Sequence, residues 1–457
     1  MVAWQPVTGA ASLRGLMTPS PRLRRILSLA LPIIGGMASQ NVLNLVDTAM
    51  VGVLGAASLA AVGMASFANF MASAFITGLS AGVQAMAARR KGEGRETEMA
   101  GPLNGGLVLA AGLAVPWSVV LFVLADDLFP LLVDDPEVVS LGVPYLRARL
   151  IAMAALGMNF AFRGYWNGID RSTVYLRTIV TMHLCNIVLN WLLIFGNLGF
   201  PRLGVTGAGV ASAVSFTIGS VLYFAQGVRM AGEAGFLRSL PDRATMTSML
   251  RLSIPTGTQQ FFFAAGMTTF FWVIGQIGTG EMAASNVLVN LLLVVILPGM
   301  GFGLAAMSLV GQALGRGDVE EAAAWPWHVA RIAVAIVGVI ASIGLVAPDL
   351  VLGLFLHEPQ TLELARLPLR IIAATIVYDT LGTVLMHALL GAGDNRRVMI
   401  AAVGLQWGLF LPIAFLVGPV LELGLTAVWI AQVGYRAIQT TVFIAMWRGR
   451  RWATLDL

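Results

Sequence analysis

Three polar stripes interrupt otherwise apolar runs of this chain. Gln40, Asn44 and Asp47 recur at i, i+4 and i+7, the spacing of one helix face, and Asp47 is the only acid between Met1 and Glu93. His183, Asn186 and Asn190 form a second stripe at i, i+3 and i+7, and Thr375, Asp379 and Thr383 a third at i, i+4 and i+8. Carboxylate and amide oxygens suit a hard cation. An acid at the centre of a bilayer costs about 2.5–3.5 kcal/mol on insertion scales and marks a functional candidate. A plainer use stands beside each: amides and hydroxyls also bond one membrane helix to another. The same two readings apply to Asn286 and Asn290, and to Gln259 and Gln260. Asp379 and Arg436 each lie about twelve residues from the inner end of their apolar runs, so they share a depth and can pair. A structural pair and a titrating one both remain open, and pairing would oppose protonation of Asp379.

The elements that carry these stripes are membrane spans. The 457 residues are 58% hydrophobic and 11% charged, with mean hydropathy +0.83; soluble domains carry about 25% charged residues. A single soluble core stops growing at about 250–300 residues, whereas repeated apolar stretches cross roughly 30 Å of hydrocarbon. Twelve spans are expected, at 26–54, 58–88, 103–125, 138–162, 173–197, 204–228, 249–277, 283–313, 325–347, 363–390, 398–419 and 424–447. With the N-terminus inside, inner segments hold twenty-one Lys and Arg against five outside. The expected orientation therefore puts both termini in the cytoplasm. The expected organisation is an N-terminal tail (1–25), an N-lobe (26–230), a cytoplasmic linker (231–247), a C-lobe (248–447) and a C-terminal tail (448–457).

Several functions are excluded by what the residues cannot build. The net charge of +5 comes from Arg residues and one Lys between apolar runs, which points to membrane topology and away from nucleic acid. Lys91, the only lysine, sits in RRKGEG, so no Walker A loop exists. Cys185 is the single cysteine, and His183, His328, His357 and His387 are scattered. Neither a Cys-based metal site nor a membrane-embedded enzyme is expected.

The halves repeat. LSLALP (27–32) matches LRLSIP (250–255) at an offset of 223, which also relates Gly78 to Gly301. Asp170 in NGIDRSTV aligns with Asp394 in GAGDNRRV, and LGVTGAGVA (203–211) with LGLTAVWIA (423–431). Two six-helix bundles related by an axis along the membrane normal are a transporter design, with the path between them.

ALPIIGGMASQNVLNLVDTAMVG, LGAASLAAVGMASF, NIVLNWLLIFGNLGFPRLGVTGAGVASA, RLSIPTGTQQF, GQALGRGDVEEA and LLGAGDNRR together resemble the multidrug and toxic compound extrusion (MATE) transporters over residues 25–447, with mixed NorM-type and DinF-type features. The resemblance implies an all-α protein of two six-helix lobes around a V-shaped cleft. It implies export of organic cations or amphipathic drugs in exchange for H⁺ or Na⁺, with no other cofactor. It also implies a monomer in the bacterial inner membrane. Its N-lobe cation site maps onto Asp47, Asn186, Asn190 and Ser212, with Gln40, Asn44 and His183 as accessory polar groups. Asn190 stands where the family has a second acid, which weakens a Na⁺ site there and favours protonation of Asp47. In the C-lobe, Asp379 matches an acid of the NorM-type pair, but its partner position falls on Phe263. The expected cycle loads Asp47 with a cation and rearranges the bundle to expel substrate. The alternative is a lipid-linked oligosaccharide flippase of similar architecture. That would need several intramembrane Arg or Lys, and Arg436 is the only central one expected.

Overall fold

The computed structural model describes residues 20–356 and 358–455; most of the expected N-terminal tail and His357 lie outside these residues. The described residues form twelve long rods: α1 (Pro21–Gly52), α2 (Ala56–Gly92), α3 (Gly101–Val123), α4 (Pro136–Ile151 and Met153–Gly168), α5 (Ser172–Phe195), α6 (Gly204–Ala231), α7 (Arg243–Gly275), α8 (Thr279–Gly315), α9 (Val319–Val346), α10 (Pro359–Gly391), α11 (Asn395–Val420) and α12 (Gly424–Arg448). No strand occurs among the described residues. Among those residues, nine helices are long and apolar enough to cross a membrane and the bent α4 makes a tenth. The remaining two, α7 and α12, are 33 and 25 residues long.

Local chemistry sets the helix ends. Ser20 caps α1, its hydroxyl accepting from the Leu23 N–H at 3.2 Å; α1 therefore starts five residues before the expected span. Asp242 caps α7 through the Thr245 N–H at 3.1 Å. The Thr245 hydroxyl and N–H hold this carboxyl below its ordinary range. Between α6 and α7 only 232–242 lie outside helix. Asn104 pins that stretch, donating to the carbonyls of Gly235 and Ser239 and accepting from the Leu237 N–H.

Two rods are irregular. α4 bends by 50° at Ala152, whose N–H turns back to the Arg149 carbonyl, a tightening that breaks the regular ladder. α11 carries two π-helical stretches, Gln406–Phe410 and Leu416–Val420. They precede or contain Pro412 and Pro419, which lack the N–H a regular ladder requires.

The pseudo-two-fold relation is visible in individual contacts. At Gly78 of α2 a Cβ would stand 2.5 Å from the backbone nitrogen of Gly257 on α7; at Gly301 of α8 it would meet Ile34 on α1. The offset of 223 that relates 78 to 301 also relates 34 to 257. Ser172 at the start of α5 donates to the Leu29 carbonyl at 3.1 Å, and Asn395 at the start of α11 donates to the Leu252 carbonyl at 2.9 Å. Such close backbone approach is how small residues join membrane helices.

The cores define the cleft. One hydrophobic core, including Ile26, Trp166, Met249, Phe302 and Trp447, is shared by both halves at the Arg-rich end. Toward the opposite end the halves have separate cores, one around Phe129 and Ile194, the other around Phe270 and Trp429. The lobes are joined at one end and part at the other. The Arg-rich end is also tied by polar bonds. Gln84 donates to the Leu304 carbonyl at 2.8 Å, and Gln312 donates to Asp170 at 2.8 Å. Lys91 bonds the same carboxylate at 2.8 Å.

Candidate functional site

The first two stripes meet because α1 packs along α5. Asn190 Nδ2 donates to Asp47 Oδ1 at 2.6 Å and lies 3.0 Å from Asn186 Oδ1. Asn186 Nδ2 stands 3.4 Å from Ser212 Oγ on α6. With the Asn186 amide turned over, its nitrogen stands 3.1 Å from Asp47 Oδ1 and its oxygen 3.3 Å from the Ser212 N–H. Asn186, Asn190 and Ser212 are buried and Asp47 is half-buried. Asn190 Oδ1 has no hydrogen-bond partner among the described residues.

The accessory groups form a chain beside this cluster. Ser39 Oγ lies 2.7 Å from His183 Nδ1, and His183 Nε2 lies 3.1 Å from Gln40 Oε1. Gln40 Nε2 donates to Asn44 Oδ1 at 3.1 Å. Because Gln40 Oε1 can only accept, Nε2 carries a proton. His183 is thus a strut between α1 and α5. Ser39 belongs to this chain although the sequence pattern did not single it out; its i−1 offset from Gln40 was the available signal.

Gln40, Asn44 and Asp47 line a cavity of about 770 Å³, walled by α1, α2, α4, α5 and α6 with Leu297 of α8. Two arginines share its wall: Arg149 and Arg163, on either side of the α4 bend. The expectation of one central arginine is therefore corrected. The Lys and Arg count assigns Arg149 to an outer connection although it lies in the middle of the expected span 138–162, and Arg163 to an inner one just beyond that span; the long, bent α4 carries both along the cavity. Arg149 donates to the Tyr145 hydroxyl at 3.1 Å and lies over the Phe216 ring. It is close enough for its charge to act on Asp47, yet Asp47 forms no ion pair among the described residues. Asp47 faces an open cavity, with the Asn190 amide and, once turned over, the Asn186 amide as its donors.

In the C-lobe, Arg436 Nη2 lies 2.6 Å from Asp379 Oδ1, and Arg436 Nη1 donates to Gln439 at 2.7 Å. The other C-lobe candidates do not join this pair. Asn290 donates to Asn286 along an exposed face of α8. Gln259 is buried with Nε2 3.5 Å from Met386 Sδ, and Gln260 is half-buried. Phe263 contributes its carbonyl to Gln406. Among the described residues, no cluster of three His, Cys, Asp or Glu could hold a metal ion.

Comparison with known proteins places this geometry. The MatE family profile matches residues 32–192 and 255–432, well over half of the chain. The probable multidrug resistance protein NorM of Thermotoga maritima is 25% identical over 442 residues, covering 94% of each chain. The like-named protein of Pseudomonas aeruginosa is 27% identical, covering 90% of this chain and 86% of its own. A solved structure described as the outward-facing conformation of a multidrug resistance MATE family transporter matches with TM-score 0.87 at 23% identity, covering 99% of this chain and 100% of that one. This last likeness concerns the fold. With twelve helices in two lobes and the family profile in both halves, the chain belongs to the MatE family: it is a multi-pass membrane transporter and not an enzyme.

Proposed function

We propose that the protein is a multidrug efflux antiporter that exchanges amphipathic compounds for H⁺ by alternating access, with Asp47 as the coupling group. The observation that carries this reading is an acid that faces a large cavity, accepts from an amide and forms no ion pair with Arg or Lys among the described residues. A proton on Asp47 removes its charge and turns an acceptor into a donor. Rotation of the Asn190 amide would then present its unpartnered Oδ1 to the new O–H, so both protonation states can be hydrogen-bonded. Asn186 and Ser212 hold Asn190 from behind and set that rotation.

Na⁺ is the competing ion. Asp47, Asn186, Asn190 and Ser212 offer it oxygen atoms, but only one negative charge, and Arg149 opposes a second cation nearby. Protonation needs no coordination shell. For exchange, cation and substrate must favour different states of the lobes, because only differential affinity shifts a population. The alternate state requires the bonds of Gln84, Asp170 and Gln312 to break and the separate cores to approach. With Arg149 and Arg163 assigned to cavity walls, the Lys and Arg balance becomes twenty against four, which supports the Arg-rich end as cytoplasmic. The transport unit is a single chain in the bacterial inner membrane.

The test is dye export in proteoliposomes with pH and Na⁺ gradients imposed separately. Export driven by the pH gradient and lost in Asp47→Asn is expected. Full export by that variant at normal membrane abundance removes Asp47 from the mechanism.

A further inference from the structure

The inner end of the N-lobe cavity is chemically unlike its Asp47 end. Arg163 stands in the cavity wall, half-buried, with Nε donating to Ser80 Oγ at 3.1 Å and its guanidinium 4.6 Å from the centre of the Phe160 ring. Its two terminal nitrogens bond to no protein group among the described residues, and it has no carboxylate partner there. Tyr175 and Tyr223 lie close enough to interact with its charge, and both are buried yet line the same cavity. A half-buried guanidinium that faces a cavity with free donors, and no acid among the described residues to neutralise it, is chemically suited to receive an anion. Structural Arg residues in this chain look different: Arg436 is completed by Asp379 and Gln439.

Position along the membrane separates this group from the coupling acid. Tyr175 packs against Gly36 of α1, eleven residues below Asp47, or roughly 16 Å at 1.5 Å per residue. Arg149 lies at the Asp47 end and offsets that carboxylate, which leaves the Arg163 end with an uncompensated positive charge. Aromatic faces between the two ends suit an amphipathic body.

We propose that Arg163, with the hydroxyls of Tyr175 and Tyr223, is an anion subsite that takes the carboxylate, sulfonate or phosphate group of the substrate, so that the cavity prefers zwitterionic or acidic amphipaths to simple organic cations. This rests on the N-lobe cavity being the substrate site and names the class of compound it selects. A zwitterion also fits exchange: its cationic group answers to Asp47, where a proton displaces it, while its acid group remains on Arg163 until the lobes move.

The test is equilibrium binding to the purified full-length protein in lipid nanodiscs. The probes are a rhodamine with a free carboxylate and the methyl ester of the same dye, which differ by one methyl group and the negative charge it removes. The acid should bind about ten-fold more tightly than the ester, the size of one charge-assisted hydrogen bond. Arg163→Gln should erase that preference by weakening the acid alone, and Arg163→Lys should retain part of it. Equal binding of the two dyes by the unaltered protein overturns the proposal and requires no variant to fold. An equal loss for both dyes in a monodisperse Arg163→Gln also overturns it, since that is the mark of a wall-supporting role. Binding selectivity with no gradient-driven export of either dye would instead leave the subsite standing and defeat the antiport reading.

Discussion

The two lobes solve the problem of a charge inside a membrane in opposite ways. In the C-lobe, Asp379 and Arg436 neutralise each other across α10 and α12 at 2.6 Å. In the N-lobe, Asp47 has amide donors and a cavity, and Arg149 stands near it without touching. The repeat supplied similar scaffolds, as the matched contacts of Gly78 and Gly301 show, and the polar groups then diverged. A closed pair stabilises a single arrangement. A carboxylate left open responds to what arrives, and that response is what coupling requires.

The largest break in this contrast comes from Asp47→Asn, which should reduce gradient-driven dye export to background while the protein remains in the membrane at normal abundance. Arg436→Gln should act on stability: leaving the carboxylate of this half-buried pair alone costs up to about 3 kcal/mol, the low end of the range for fully buried pairs, read as a lowered melting temperature in detergent. Asp379→Asn combined with Arg436→Gln should recover most of that loss, because no lone charge remains. If the double variant folds well but loses coupling, the C-lobe pair is functional and the contrast fails. Asn190→Asp would place a second acid beside Asp47, and Na⁺-gradient export should then rise about ten-fold, a coupling of about 1.4 kcal/mol; an unchanged ion dependence would show that charge count does not choose the ion. The smallest effect belongs to Asn290→Ala, which removes two exposed bonds to Asn286 within α8. About 0.2–0.5 kcal/mol is expected, with export unaltered, and a large loss of export would bring α8 into the site.

Much of the fold was legible because apolar length is a property of consecutive residues. The twelve spans and the 223-residue repeat need only local composition and comparison of the chain with itself. The stripes were also legible: i, i+4 and i+7 share a helix face wherever the helix goes, and so Gln40, Asn44 and Asp47 do line one cavity. Helix ends were harder. The Ser20 cap starts α1 before the apolar run begins, and hydropathy does not register a cap.

Sequence by itself determined the class of protein, the number of helices and which polar residues share a face. Tertiary structure decided which faces meet. Spacing along α5 and α8 could not say that Asn190 reaches Asp47 while Asn290 reaches only Asn286, because helix rotation and choice of neighbour are set by packing across the bundle. Nor could it say that Arg149 and Arg163 enter the cavity: a charge within or just past an apolar run carries no sign of the direction it faces, and only the 50° bend at Ala152 and the packing of α4 against α2 and α6 turn both inward. A charge has its cost and its use from its surroundings, and the surroundings come from residues far away in the chain.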